Sequence, residues 1–189
     1  MNFKKYISNL INSSSENINS IILESEIIKK LTEEILVAKN QNQKVLIFGN
    51  GGSASMSQHF AAELVVRFKK NRVPIRALAL SSDISIITAI GNDYSFNKIF
   101  ERQLEAYCDK GDLVIAMTTS GNSENILSGL NYASKLTNKI YAFTGKNGLK
   151  GDFHEVSVIK CNSDNTARIQ EAHLFLIHVI CEYIDQQIN

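Results

Sequence analysis

Five short apolar runs succeed one another from residue 44 onward, and their spacing limits the possible folds more than any other feature of the chain. They are Lys44-Val-Leu-Ile-Phe48, Arg76-Ala-Leu-Ala-Leu80, Asp112-Leu-Val-Ile-Ala-Met117, Lys139-Ile-Tyr-Ala-Phe143 and Glu155-Val-Ser-Val-Ile159. Each is brief and rich in branched residues, as expected of strands buried on both faces. Helical segments separate them, over roughly 53–69, 83–106, 123–136 and 164–187. Strand–helix alternation predicts a parallel sheet with helices on both faces. Before the first strand, residues 1–42 contain no Pro or Gly, and Ile18, Ile21, Ile22, Leu23, Ile27, Ile28, Leu31, Ile35 and Leu36 recur at helical spacing. One or two helices are expected there, with an apolar stripe that either covers the sheet or meets another subunit. At 189 residues the chain is expected to form one domain, 1–189, around one core.

Charge and cysteine usage narrow the classes of function. Lys plus Arg number 20 and Asp plus Glu number 19, so the basic excess usual in a nucleic-acid binder is missing. Cys108, Cys161 and Cys181 are too few and too scattered for a disulfide framework or a cysteine zinc site. Reduced thiols suit the cytosol. The N-terminus, MNFKKYISNLINSSSENINS, is too polar for a secretory signal. No stretch reaches the ~18 apolar residues of a membrane span. A cytoplasmic protein without membrane or nucleic-acid partners is expected.

In open parallel sheets ligands bind beyond the carboxyl ends of the strands, and two polar turns sit at such ends. The first, Phe48-Gly-Asn-Gly-Gly-Ser-Ala-Ser55, follows the first strand and opens a helix. Its glycines let backbone N–H groups approach an anion, and the helix start adds partial positive charge. It is neither GxGxxG nor a Walker loop, which disfavours nucleotide binding. It also reads as a plain strand–helix turn with Ser53 as N-cap. The second turn, Met117-Thr-Thr-Ser-Gly-Asn-Ser-Glu124, gathers the hydroxyls of Thr118, Thr119, Ser120 and Ser123 around Gly121. Hydroxyls and amides at a helix start can wrap a phosphate without any Lys or Arg. The alternative is a turn rich in capping residues.

Together these turns resemble the SIS (sugar isomerase) domain of phosphosugar-binding enzymes and regulators. The likeness extends to His59-Phe-Ala-Ala-Glu-Leu64, Ala89-Ile-Gly-Asn-Asp-Tyr94 and Ala167-Arg-Ile-Gln-Glu171. With these five motifs in order, the chain is similar to the phosphoheptose isomerase family over nearly its whole length. The resemblance implies a three-layer α-β-α sandwich with a five-stranded parallel sheet of flavodoxin-like type, plus an N-terminal helical extension. It implies a ketose–aldose isomerase that converts sedoheptulose 7-phosphate to D-glycero-D-manno-heptose 7-phosphate, the first step toward heptose for bacterial surface polysaccharide. A homotetramer with active sites near subunit interfaces is implied as well.

Such an isomerase must remove a carbon-bound proton beside a carbonyl, return it at the neighbouring carbon and stabilise the enediolate between. His59 and Glu63, at i and i+4, share one helical face, where they suit either a surface hydrogen bond or a common metal ion. On the last helix Gln170 and His178 are candidates. Eight residues separate them by about 80° and ~12 Å of rise, which is hard to reconcile with one small ion unless different subunits contribute. His173 reads as a packed or solvent-facing histidine, and His154 has no evident partner. The family resemblance implies Glu63 and His178 as the catalytic acid–base pair. It implies zinc, one ion per subunit, held by His59, Glu63, Gln170 and His178. It also implies substrate contacts from Asn50, Gly51, Gly52, Ser53, Glu63, Asn92, Asp93, Thr118, Thr119, Ser120, Ser123 and Gln170. The chain departs from the family in having Thr118 where Ser is common, which keeps the hydroxyl, and Ala167 where some members are acidic. Arg67 matches a basic family position and reads equally as a surface residue. The competing reading is a non-catalytic SIS relative that binds a phosphosugar or the replication initiator. One such relative, which binds the initiator, lacks the acidic residue of the HFAAE motif and the late histidine, both present here.

Overall fold

A computed structural model describes residues 1–188. Two N-terminal helices, α1 (Phe3–Ser20) and α2 (Ser25–Asn40), are joined by a 3-10 turn at Ile21–Glu24. There follow β1 (Val45–Gly49), α3 (Gly52–Val65), β2 (Ala77–Ala79), α4 (Ile84–Asp93), α5 (Glu101–Tyr107), β3 (Leu113–Met117), α6 (Glu124–Ala133), β4 (Ile140–Thr144), β5 (Ser157–Lys160) and α7 (Thr166–Gln187). The five strands form one parallel sheet in the order β2-β1-β3-β4-β5.

The alternation of side chains along each strand feeds two cores, one per face of the sheet. Val45, Ile47, Leu113, Ile115, Met117, Tyr141 and Phe143 meet Leu31 and Ile35 of α2, Phe60 and Leu64 of α3, and Ile177 and Ile180 of α7. Leu46, Phe48, Val114, Ala116 and Ala142 meet Phe100 and Leu104 around α5, and Ile126 and Leu130 of α6. The expected three-layer sandwich is therefore present, and β1, β3 and β4 are buried at every residue. Burying each of these large side chains contributes about 1.5–3 kcal/mol.

Several element limits differ from the sequence expectation. The segment 83–106 is not one helix. Asp83 caps α4 by accepting from the Ile86 amide, but Ser95 is extended, and a 3-10 turn at Phe96–Lys98 precedes α5. The helix expected over 53–69 stops at Val65, where the chain leaves for a loop held by side chains of α7. Its N-cap is Gly51, at φ +55°, rather than Ser53. A left-handed turn is open to Gly and strained for other residues.

Topology positions the site. The chain leaves β1 for β2 on one side and returns to β3 on the other, so β1 and β3 flank the switch point of the sheet. That is where a 2-1-3-4-5 sheet opens a crevice. The crossover helix α3 shares its face with α7, and the two lie side by side.

Candidate active site

Both polar turns line one cleft of about 270 Å³ at this switch point. Asn50, Gly51, Gly52 and Ser53 come from the turn after β1, and Thr118, Thr119, Ser120 and Ser123 from the turn after β3. Thr166 and Gln170 of α7 close its side, and no Lys or Arg is among its lining residues. The starts of α3 and α6 both face it, so two helix dipoles add to the amides and hydroxyls. Ser123 is the N-cap of α6 yet makes no side-chain cap bond, which leaves its hydroxyl for a ligand. Thr118 Oγ1 accepts from the Gly121 amide at 3.1 Å, and Ser120 Oγ from the Asn122 amide at 3.2 Å. These bonds fix the turn while each hydroxyl keeps its proton to donate.

The cradle is rigid because its neighbours brace it. Gly121 has φ +64° and lies directly on the Gly148 carbonyl, while the Lys150 amide donates to Gly121 O at 2.8 Å. Asn50 and the buried Asn125 form a reciprocal amide pair, at 2.8 and 2.9 Å, that joins the two turns. Asn125 Oδ1 also accepts from the Ile126 amide. Sequence reasoning missed Asn125, whose only local signal is an Asn in the first turn of the helix behind the hydroxyl cluster. It missed Thr166 as well, although that residue directly precedes the Ala167-Arg-Ile-Gln-Glu171 motif.

The groups expected to handle protons lie further along the seam between α3 and α7. His59 Nε2 is 3.3 Å from Glu63 Oε1 and 3.3 Å from His178 Nε2. The two imidazoles are tilted, with centroids 5.3 Å apart, and the Phe68 ring covers the other side of His178 at 5.7 Å. The α3–α7 seam thus brings His178 to His59 and Glu63, more than a hundred positions earlier in the chain. Gln170 does not join them in this chain. Its amide packs over Gly52, where a Cβ would collide with it, so it serves the cradle end of the seam. Asn92 and Asp93 are also elsewhere, exposed at the end of α4 and bonded to each other at 2.8 Å. Arg67 is exposed, His154 pairs with Asp152 at the surface, and His173 is buried against Phe143.

The donor set can be tested for zinc. Bonds of about 2.0–2.1 Å in a tetrahedron place donor atoms about 3.3–3.4 Å apart. The His59–Glu63 and His59–His178 separations both match that edge, so the residue types suit the ion and the two spacings that involve His59 do as well. They share His59 but do not close around a common point, for among the described residues no group of three His, Cys, Asp or Glu is gathered closely enough to hold a metal ion.

What the arrangement offers is an anion cradle at one end and a carboxylate with two imidazoles at the other. Residues 5–145 match the pattern of the SIS domain. A phosphoheptose isomerase of Aquifex aeolicus is 52% identical over 154 residues, 82% of this chain and 81% of that protein. Among solved structures, a phosphoheptose isomerase from Francisella tularensis superposes with a TM-score of 0.86 at 32% identity, covering 98% of this chain and 99% of the other. The phosphoheptose isomerase from Neisseria gonorrhoeae gives 0.83 at 32% identity, covering 98% and 100%.

Proposed function

The chain belongs to the phosphoheptose isomerases of the SIS domain family, and from this membership we propose that it isomerises sedoheptulose 7-phosphate to D-glycero-D-manno-heptose 7-phosphate. One observation carries the reading. Glu63 and His178 meet around His59 on a seam whose near end is a phosphate cradle.

The cradle takes the 7-phosphate through amides and hydroxyls, leaving the reacting carbons at the far end of the sugar. Between Glu63 and His178, one base removes the proton from C1 of the ketose. The C2 carbonyl becomes part of an enediolate, a proton passes from O1 to O2, and the carbon-bound proton returns at C2 to give the aldose. His59 lies between the two, its Nε2 3.3 Å from Glu63 Oε1 and 3.3 Å from His178 Nε2. Zinc held by His59, Glu63 and His178 would polarise the carbonyl and stabilise enediolate oxygens.

Assembly belongs to the same proposal. His59 lies seven residues past Gly52 on α3, about 10 Å along the helix, and the 270 Å³ cleft does not include it. A homotetramer that sets active sites at subunit interfaces would enclose the seam between them and supply Asn92 and Asp93. No helix among the described residues is long and apolar enough to cross a membrane. A cytoplasmic enzyme that feeds heptose into surface polysaccharide is in keeping with that and with the reduced thiols.

The test is incubation with sedoheptulose 7-phosphate, with aldose formation followed by NMR, in zinc and in chelator. Glu63→Gln and His178→Gln each lower turnover by about 10²-fold or more if they carry protons. No turnover by the wild type in either condition would refute the activity, and full activity in either variant would refute that residue's role.

A further inference from the structure

The loop between α3 and β2 is held by a buried ion pair that the reaction itself does not require. Asp185 lies on α7 seven residues beyond His178, two turns along and on the same face. Its carboxylate accepts from the backbone amides of Lys69 at 2.7 Å and Lys70 at 2.8 Å, and from Arg72 Nε at 3.2 Å. The side chains of Arg72 and Asp185 are only 1% and 4% exposed. Arg72 then reaches back to the end of α3, donating to the carbonyls of Glu63 at 2.7 Å and Leu64 at 2.8 Å. Between these anchors the loop lays the Phe68 ring beside the His178 imidazole. Lys69 fastens its outer side by pairing with Glu182 at 2.6 Å.

We propose that Asp185 and Arg72 are positioning residues, a clamp that sets Glu63 and His178 relative to each other by fixing the backbone under one and the aromatic wall beside the other. The inference rests on the reading of Glu63 and His178 as the proton-carrying pair. Two physical arguments support it. A buried ion pair is a poor source of stability, since well-packed apolar residues of similar volume often do as well or better. What it supplies is direction, and here every donor and acceptor of the pair is aimed at the loop or at the last turn of α3. Secondly, the end of α3 has no glycine to terminate it. Arg72 takes up the orphan carbonyls that a helix end leaves, and one of the two belongs to Glu63. Burial works against the Asp185 charge, yet the Lys70 and Lys69 amides and the Arg72 guanidinium hold its carboxyl below the usual range.

The experiment compares Asp185→Asn, which weakens the clamp, with Phe68→Leu, which leaves the ion pair intact and removes the ring beside His178. For each, kcat and KM with sedoheptulose 7-phosphate are measured well below the melting temperature, with binding of inorganic phosphate and the His178 ring-proton resonances. The expected result is a kcat lowered by about 10- to 10²-fold, as for a small misplacement of reacting groups. KM changes less than about threefold, phosphate binding holds, and both variants shift the His178 resonances. Asp185→Glu recovers part of the lost kcat. Wild-type kcat in folded Asp185→Asn, or His178 resonances unmoved by it, would overturn the proposal. A joint loss of phosphate binding and turnover would do so too, because it marks general unfolding. If the wild type turns over no heptose phosphate, the activity reading fails by itself. The resonances then decide the clamp, standing if they move in both variants and falling if they do not.

Discussion

His173 is a titratable group enclosed in the core. It is 2% exposed, its Nε2 donates to the Thr144 carbonyl at 3.3 Å, and its Nδ1 has no protein partner. Burial disfavours the imidazolium and pulls the pKa down to about 4, with the Thr144 carbonyl acting the other way. The unfolded chain, with an ordinary histidine near 6.5, therefore binds more protons than the folded one between these values. Stability is complete above about pH 6.5 and is lost as pH falls toward 4, by roughly 3 kcal/mol in all. Urea unfolding across pH 4–8 should show this slope, and His173→Leu should flatten it. At this scale the sequence was partly informative. His59, Glu63 and His178 stood out because i, i+4 spacing and a helix-borne histidine are local patterns. Asn125, Arg72 and Asp185 did not, because their partners lie 75 and 113 residues away in sequence, and no local pattern encodes that distance.

Among the elements, the hydroxyl turn makes the sharpest demand on its sequence. A methyl group at Gly121 would overlap the Gly148 carbonyl in a backbone at φ +64°, so Gly121→Ala must displace the turn. Since the turn is proposed to hold phosphate rather than to move protons, steady-state kinetics should show KM raised about tenfold or more, with kcat changed less. Strands were legible wherever both faces are buried, as in β1, β3 and β4. The edge strand β2 is shorter than its apolar run, three residues rather than five, because an edge has a pairing partner on one side only. The break after α4 was missed because no proline marks it. Its signals are weaker, a Gly91-Asn-Asp end and Ser95 in an extended conformation.

The molecule as a whole is left with unsatisfied apolar surface. A groove of about 610 Å³ runs between the N-terminal segment and α7, lined by Ile18, Ile21, Ile22, Ile28, Phe175 and Val179 among others. It is larger than the polar cleft, but it lacks convergent polar groups and reads as a contact face rather than a substrate site. Ile22 and Leu23 are 76% and 84% exposed, and Ile84 of α4 is 75% exposed. Exposed apolar residues gathered along one groove, as Ile22, Phe175 and Val179 are, mark interaction surfaces. If the proposed tetramer forms here, light scattering should report four chains, and Phe175→Glu should give smaller species with little turnover. A monomeric wild type with full activity would exclude the interfacial site. The apolar stripe in residues 1–42 was legible; whether it covers the sheet or meets a partner was not. The structure turns Leu31 and Ile35 inward against the sheet and leaves Ile22 and Leu23 exposed.

If the cleft holds the phosphate as proposed, a lining without Lys or Arg has a consequence for how the substrate arrives. Without a cationic side chain to project a field into solvent, there is little long-range steering of the incoming sugar, and the encounter is governed by ordinary diffusion. Short-range dipoles are also scarcely screened by mobile ions, so capture of the substrate should vary little with ionic strength. That suits an enzyme working among many competing anions.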